Sequence, residues 1–288
     1  MSGKIPARIA KLATAMLAIG AVLAWATASA GAAVTYTPVY NNFPSPLPGN
    51  VASEAMEATS SSEFGGEVQL AGATADHTKV TIAMSSWACQ SGGATDDTCV
   101  SAAKSKFEWP VTLHIYTAGP GDAVGTQIVS LTKTFKMPYR PSASPQCAGN
   151  GGWYKMGNCF HGKLFKITFV LRGITLPSKD IVSVAYNTSD YGAVPQRPQP
   201  CNSEPSGCPY DSLNVGGFEE GPSVGSDPQP NSDYINSKWT GAYCDAGFSG
   251  TGSFRFDPAI PSGCLPSQSA YDGFDNEGLQ PGIAIATG

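Results

Sequence analysis

The sequence predicts an all-β protein, an antiparallel β-sandwich of jelly-roll or Ig-like type with long disulfide-stapled loops. Three observations carry this expectation. Apolar and polar residues alternate at period two in one stretch after another, the pattern of a half-buried strand. No stretch after residue 30 sustains a 3.6-residue period, so no helices are expected between the strands. The eight cysteines fall in order as four close pairs, each bracketing a short loop rich in Gly, Ser, Asp or Pro.

The head of the chain comes first. Lys4, Arg8 and Lys11 precede an apolar stretch from Leu12 to Ala26, and Ala28-Ser29-Ala30 fits a small-x-small cleavage site. Residues 1–30 therefore read as a secretory signal peptide. The apolar stretch is shorter than the roughly 20 residues of a membrane span. Residues 31–288 are expected to form a single secreted domain.

Strands follow in order. Val68 and Leu70 alternate with Glu67 and Gln69. Val80, Ile82 and Met84 alternate with Thr81, Ala83 and Ser85. Val111, Leu113 and Ile115 alternate with Thr112, His114 and Tyr116. Val129, Leu131, Phe135 and Met137 continue the pattern, with Lys133 breaking one face. Phe165, Ile167, Phe169 and Leu171 give the strongest strand signal. Val182, Val184 and Tyr186 make another strand, and Phe254 with Phe256 and Ile283 with Ile285 make two late ones. The last is expected to pair inside a sheet and tie down the end of the chain. Residues 138–162 and 188–252 lack the alternation and read as long ordered loops.

Sequential pairing is the simplest disulfide pattern: Cys89 with Cys99, Cys147 with Cys159, Cys201 with Cys208 and Cys244 with Cys264. Closing a short loop costs little chain entropy, and an exported chain meets an oxidising compartment. Zinc is a poor alternative, since there is no C-x-x-C and only three histidines exist, at 77, 114 and 161. Removing the signal takes away three of the 17 basic residues and none of the 22 acidic ones. The acidic remainder has no dense Lys/Arg run, so neither nucleic acid nor, after signal cleavage, a membrane is an expected partner.

Motifs of catalysis are incoherent. Gly221-Pro222-Ser223-Val224-Gly225 matches G-x-S-x-G, but no helix pattern follows and every histidine precedes it. Gly157 to Lys163 imitates a phosphate loop, but Leu164 stands where Ser or Thr must reach the metal. Asp272, Asp275 and Glu277 offer oxygens of the kind calcium takes. Their spacing is not that of an EF-hand, and a solvated acidic turn is the simpler reading. No cofactor is expected, calcium being the one candidate. Loop aromatics are the constellation to test. Trp153, Tyr154, Tyr234, Trp239 and Tyr243 could present flat faces with polar handles to a sugar ring or a protein. Packing down beside the disulfides is the competing expectation.

Tyr40 to Asn50, Ser62-Glu63-Phe64-Gly65, Met84-Ser85-Ser86-Trp87, Pro138 to Ser142, Ala185 to Thr188 and Cys208 to Val215 together resemble uncharacterised secreted or surface β-sandwich proteins of actinobacteria and other bacteria. The resemblance implies an exported, bacterial, single-unit protein and brings no activity with it. The expected function is a non-catalytic extracellular binding or adhesion module whose partner is a polysaccharide, a cell-surface glycan or a protein. Its rivals are a secreted glycan-active hydrolase using Asp227, Asp233 or Asp245, and a structural envelope or matrix protein.

Overall fold

The computed structural model describes residues 34–58, 61–120, 124–196, 201, 206–218, 220–230, 232–237, 250–256 and 280–288. Strands dominate them, and no α-helix occurs among them. Thr35–Gly288 is one compact unit. In chain order the strands are β1 (Thr37–Asn41), β2 (Ser53–Ala55), β3 (Ser61–Gln69), β4 (His77–Ser86), β5 (Lys106–Ala118), β6 (Val124–Pro138), β7 (Trp153–Lys155), β8 (Asn158–Phe160), β9 (Lys163–Arg172), β10 (Lys179–Ala185), β11 (Leu213–Phe218), β12 (Ser232–Ser237), β13 (Gly250–Phe256), β14 (Gln280–Pro281) and β15 (Ile283–Thr287).

All pairings are antiparallel. One sheet of seven strands is built on β4, which pairs along its whole length with β9 on one side. On its other side β4 pairs first with β15 and then with β11. Strand β15 lies between β1 and β4, so the last strand does pair inside a sheet. The second sheet has six strands in the order β13-β12-β3-β10-β5-β6, and β7 with β8 forms a separate two-stranded ribbon.

Alternation along these strands fills one hydrophobic core. Val80, Ile82 and Met84 of β4 meet Ile167, Phe169 and Leu171 of β9 in a cluster shared with Val111, Leu113 and Ile115 of β5 and with Val182 and Val184 of β10. Lys133, which breaks the pattern of β6, donates from Nζ to the Thr168 carbonyl of β9 at 3.0 Å and lies over the Phe135 ring. It thereby occupies part of an open strand edge.

The long segment after residue 188 contains strands that alternation did not reveal. Strand β11 is buried at all six positions, so a period of two cannot appear in it. Three cysteine pairs are bonded as expected: Cys89–Cys99, Cys147–Cys159 and Cys201–Cys208. Cys244 and Cys264 lie outside the described residues.

Arg140 joins two of the stapled loops. Its side chain is fully buried, and its three nitrogen groups donate to the carbonyls of Pro141, Ala94 and Gly151. Burial lowers its pKa to about 10, so it stays charged at neutral pH. Asp97 supports the same junction by accepting from the backbone N–H groups of Gly149 and Gly151 at 2.7 and 3.0 Å. Arg140→Met keeps the length of the side chain and removes every donor. We expect it to lower stability by about 2–3 kcal/mol, since buried carbonyls lose partners worth about 1 kcal/mol or more each. Urea denaturation measures this directly.

A candidate ligand site on the outer face of the six-stranded sheet

The face of the six-stranded sheet turned away from the core carries polar side chains aligned by strand register. Glu63 of β3 stands opposite Ala185 of β10, and Ser183 opposite Gly65. Across the next ladder Ser183 faces His114 of β5, and Ala185 faces Thr112. Across the last, His114 faces Ser130 of β6, and Thr112 faces Thr132. Period-two geometry puts these residues on one surface.

Gly65 is essential to the arrangement. A Cβ there would come within 2.1 Å of the Val182 carbonyl oxygen and 2.5 Å of Ser183 Cα. Tyr234 of β12 pairs with Gly65, and its ring approaches that of Tyr116 on β5 with centroids 5.5 Å apart. Strands lie about 4.8 Å apart, so this contact spans the intervening β3 and β10. A bare glycine in the row lets the two phenols close over it.

Glu63 is the hub. Its Oε1 accepts from the Tyr116 hydroxyl at 2.9 Å and from the Ser183 hydroxyl, and it lies 2.9 Å from His114 Nδ1. Three donors on one oxygen offset the removal of this carboxylate from water. With a carboxylate oxygen as acceptor, the hydrogen-bond pattern assigns the hydrogen to Nδ1, and the ring is fixed in orientation. Burial, then the nearby Glu63 charge, raises the Tyr116 hydroxyl well above its ordinary range, and the same causes push Tyr234 up to about 12. Both phenols therefore remain protonated donors at neutral pH.

Beside this hub opens a cleft of about 530 Å³, within the size range of small-molecule sites. It is lined by the polar side chains of Thr112, Thr132, Ser130, His114 and Glu63, with the apolar Pro110, Ala185 and Ala193 among them. The Thr112 and Thr132 hydroxyls are hydrogen-bonded to each other at 2.8 Å. The loop closing one end is ordered by the Trp109 indole N–H, which donates to the Asn187 carbonyl at 2.8 Å, and by Asn187 Oδ1, which accepts from the Val194 backbone N–H at 2.9 Å. Trp109 is itself stacked on Tyr210 with centroids 3.8 Å apart.

Of the residues singled out in the sequence, Tyr234 adjoins the hub and the others that are described fall elsewhere. Trp153 and Tyr234 are not exposed on a shared platform. Trp153 is buried in the ribbon, where its indole N–H donates to the Gly162 carbonyl at 2.7 Å and its ring packs on Phe160. Here the aromatic is loop ballast, the alternative that its sequence context already offered. Tyr234 is buried behind the Glu63 hub and supports it. Tyr154 is exposed. Trp239, Tyr243, Asp245 and the calcium candidates Asp272, Asp275 and Glu277 lie outside the described residues. Of the hydrolase carboxylates, Asp233 is buried, and Asp227 is raised to about 6, mainly by burial. Neither lines the cleft, where Glu63 is the only carboxylate among the described residues. Among the described residues no group of three or more His, Cys, Asp or Glu side chains is placed to hold a metal ion.

From the sequence alone His114 is one residue on the polar face of its strand, and the hub does not show. The signal was present in the alternation itself. His114 and Tyr116 occupy the polar face of a strand where a short hydrophilic residue would serve solubility as well. No protein-family model, curated protein or solved structure matches the chain.

Proposed function

We propose that this protein is a secreted, non-catalytic binding module, built as a β-sandwich of jelly-roll or Ig-like type, that holds a neutral glycan in the cleft over its six-stranded sheet. One observation carries the reading. A cleft lined by hydroxyl groups adjoins the Glu63–His114 pair, and the small apolar side chains of Pro110, Ala185 and Ala193 line it too. Sugars offer many hydroxyls and modest apolar C–H faces, and such a cleft answers both. Glycoside hydrolysis needs two carboxylates flanking the scissile bond in most enzymes, and among the described residues the cleft offers Glu63 alone. Export is supported by the residue pattern of positions 1–30 and by the disulfides, which persist in oxidising compartments. Among the described residues, no helix is long and apolar enough to cross a membrane.

Calorimetric titration with a panel of soluble neutral oligosaccharides tests the proposal. At least one is expected to bind saturably. The double variant Thr112→Val and Thr132→Val, which removes two hydroxyls at nearly constant volume, is expected to weaken that binding tenfold or more with little change in melting temperature. A panel that gives no heat, or a variant that binds as the wild type does, contradicts it.

A further inference from the structure

A second cavity opens on the seven-stranded sheet, and it shares no lining residue with the cleft. Strand register builds it. Asn214 of β11 stands opposite Ala55 of β2 on one side and Ser85 of β4 on the other, and Gly216 stands opposite Ser53. Buried Glu54 separates Ser53 from Ala55, and the core residues Leu213 and Val215 flank Asn214. Period-two geometry therefore turns Ser53, Ala55 and Asn214 to the face away from the core. The Asn214 amide donates to Ser53 Oγ at 3.0 Å, which ties the two strands together on that face. These three residues line a cavity of about 340 Å³ together with Trp87, Asp211 and Ser212. Small apolar side chains complete the lining, and no basic residue is part of it among the described residues.

Trp87 and Asp211 give the cavity its chemistry. The backbone N–H of Trp87 donates to the Ser212 carbonyl at 2.8 Å, and its indole is stacked on His161 with centroids 5.7 Å apart and planes 21° apart. The indole nitrogen is buried beside Gly162, where a Cβ would come within 2.6 Å of it, and makes no hydrogen bond among the described residues. The Trp87 side chain therefore offers a ligand carbon surface and no donor. Asp211 carries the only charge among the lining residues. Its Oδ1 accepts from the Ser189 backbone N–H at 2.7 Å, and its Oδ2 from the Ser189 hydroxyl at 2.6 Å. Both donors are neutral, and the ion pairs among the described residues do not include Asp211. Burial raises its pKa, although the two hydrogen bonds from Ser189 oppose the shift. A carboxylate has about four acceptor sites, so Ser189 leaves room for a further donor. A half-buried carboxylate without a counter-charge is costly, and a bound cation offsets that cost.

We propose that this cavity is a second ligand site, for a small organic cation that sets an ammonium on Asp211 and an apolar body against Trp87 and Ala55. The ammonium has three donors and no acceptor, which suits a carboxylate flanked by the hydroxyls of Ser53 and Ser212. The apolar body takes water off carbon surface in a space of ligand size. A neutral sugar is the weaker match, because it supplies no counter-charge, and Asp211 repels an anion.

NMR titration of residues 31–288, which keep the compact unit Thr35–Gly288 whole, tests this. The probes are benzylammonium at neutral pH and benzyl alcohol, its uncharged counterpart. Benzylammonium is expected to bind saturably, with a Kd below about 10 mM. The largest amide shifts are expected at Ser189, Asp211, Ser212 and Asn214, with none at Thr112, His114 or Thr132. Benzyl alcohol is expected to bind at least about tenfold more weakly, and Asp211→Asn to lose about tenfold for benzylammonium, the usual worth of a hydrogen bond to a charged group. The Asn side chain keeps an acceptor for the Ser189 N–H, so the turn is held. Ala55→Leu fills the cavity at a half-buried position without touching the carboxylate and is expected to abolish the shifts. It keeps the test open if the Asp211 change disturbs folding. Wild-type affinity in both variants overturns the proposal. So do equal affinities for the two probes, shifts centred on the cleft, and a titration that does not saturate.

Discussion

Phe169→Ala is expected to destabilise the folded domain by about 3–5 kcal/mol, the usual cost of deleting a buried Phe ring. Phe169 is fully buried on β9, pairs with Val80 of β4 and meets Phe135 of β6 edge-to-face with centroids 5.0 Å apart. It thus touches side chains contributed by both sheets. A loss of that size is a large share of the 5–15 kcal/mol that stabilises an ordinary domain. Urea denaturation at constant pH reads it. A loss below about 1 kcal/mol would mean that the face carrying Phe169 is not core.

Asp180→Asn is expected to act in the opposite direction, and only above acidic pH. Asp180 of β10 points to the interior, fully buried, and neither carboxylate oxygen has a hydrogen-bond partner among the described residues. Burial alone raises its pKa to about 7. The unfolded chain loses this proton near the ordinary carboxylate value of about 3.9. Between these two values the folded state binds the proton and the unfolded state does not, so stability falls as pH rises through that window and levels off above pH 7. A shift of this size corresponds to on the order of 4 kcal/mol. The Asn variant carries no charge at any pH. Its stability relative to wild type should be nearly unchanged at pH 4 and should grow towards that figure by pH 8. A difference that stays constant with pH would show that Asp180 is solvated or paired.

Much of the fold was legible because one-sided burial writes itself into a strand. The Phe165 to Leu171 pattern became β9, Val80 to Met84 became β4, and Ile283 with Ile285 became β15. Strand β11 was illegible for the opposite reason. Burial on both faces, with Gly216 and Gly217 in its middle, leaves no contrast between neighbours. Short strands such as β2 and β14 are held by long-range ladders and have no pattern of their own.

The site was harder still. Its hub joins residues 63, 114, 116, 183 and 234, brought together by strand order in the six-stranded sheet. Nothing in the spacing of those numbers predicts that β3 and β5 will flank β10. Trp153 shows why two readings stayed open in the sequence. An aromatic in a polar, glycine-rich loop looks available for binding, yet the loop needs that ring to hold its own shape. The exposed Tyr154 next to it could be told apart only once the pairing of β7 with β8 fixed which side each residue faces.

The central claim is that the outer face of the six-stranded sheet is where a ligand sits. Backbone amide shifts, followed by NMR during titration with a glycan that binds, test it most directly. The account predicts that the largest changes cluster at Glu63, Thr112, His114, Ser130 and Thr132 and saturate with one affinity. Changes confined to the ribbon around Tyr154, or spread without a cluster, would contradict it.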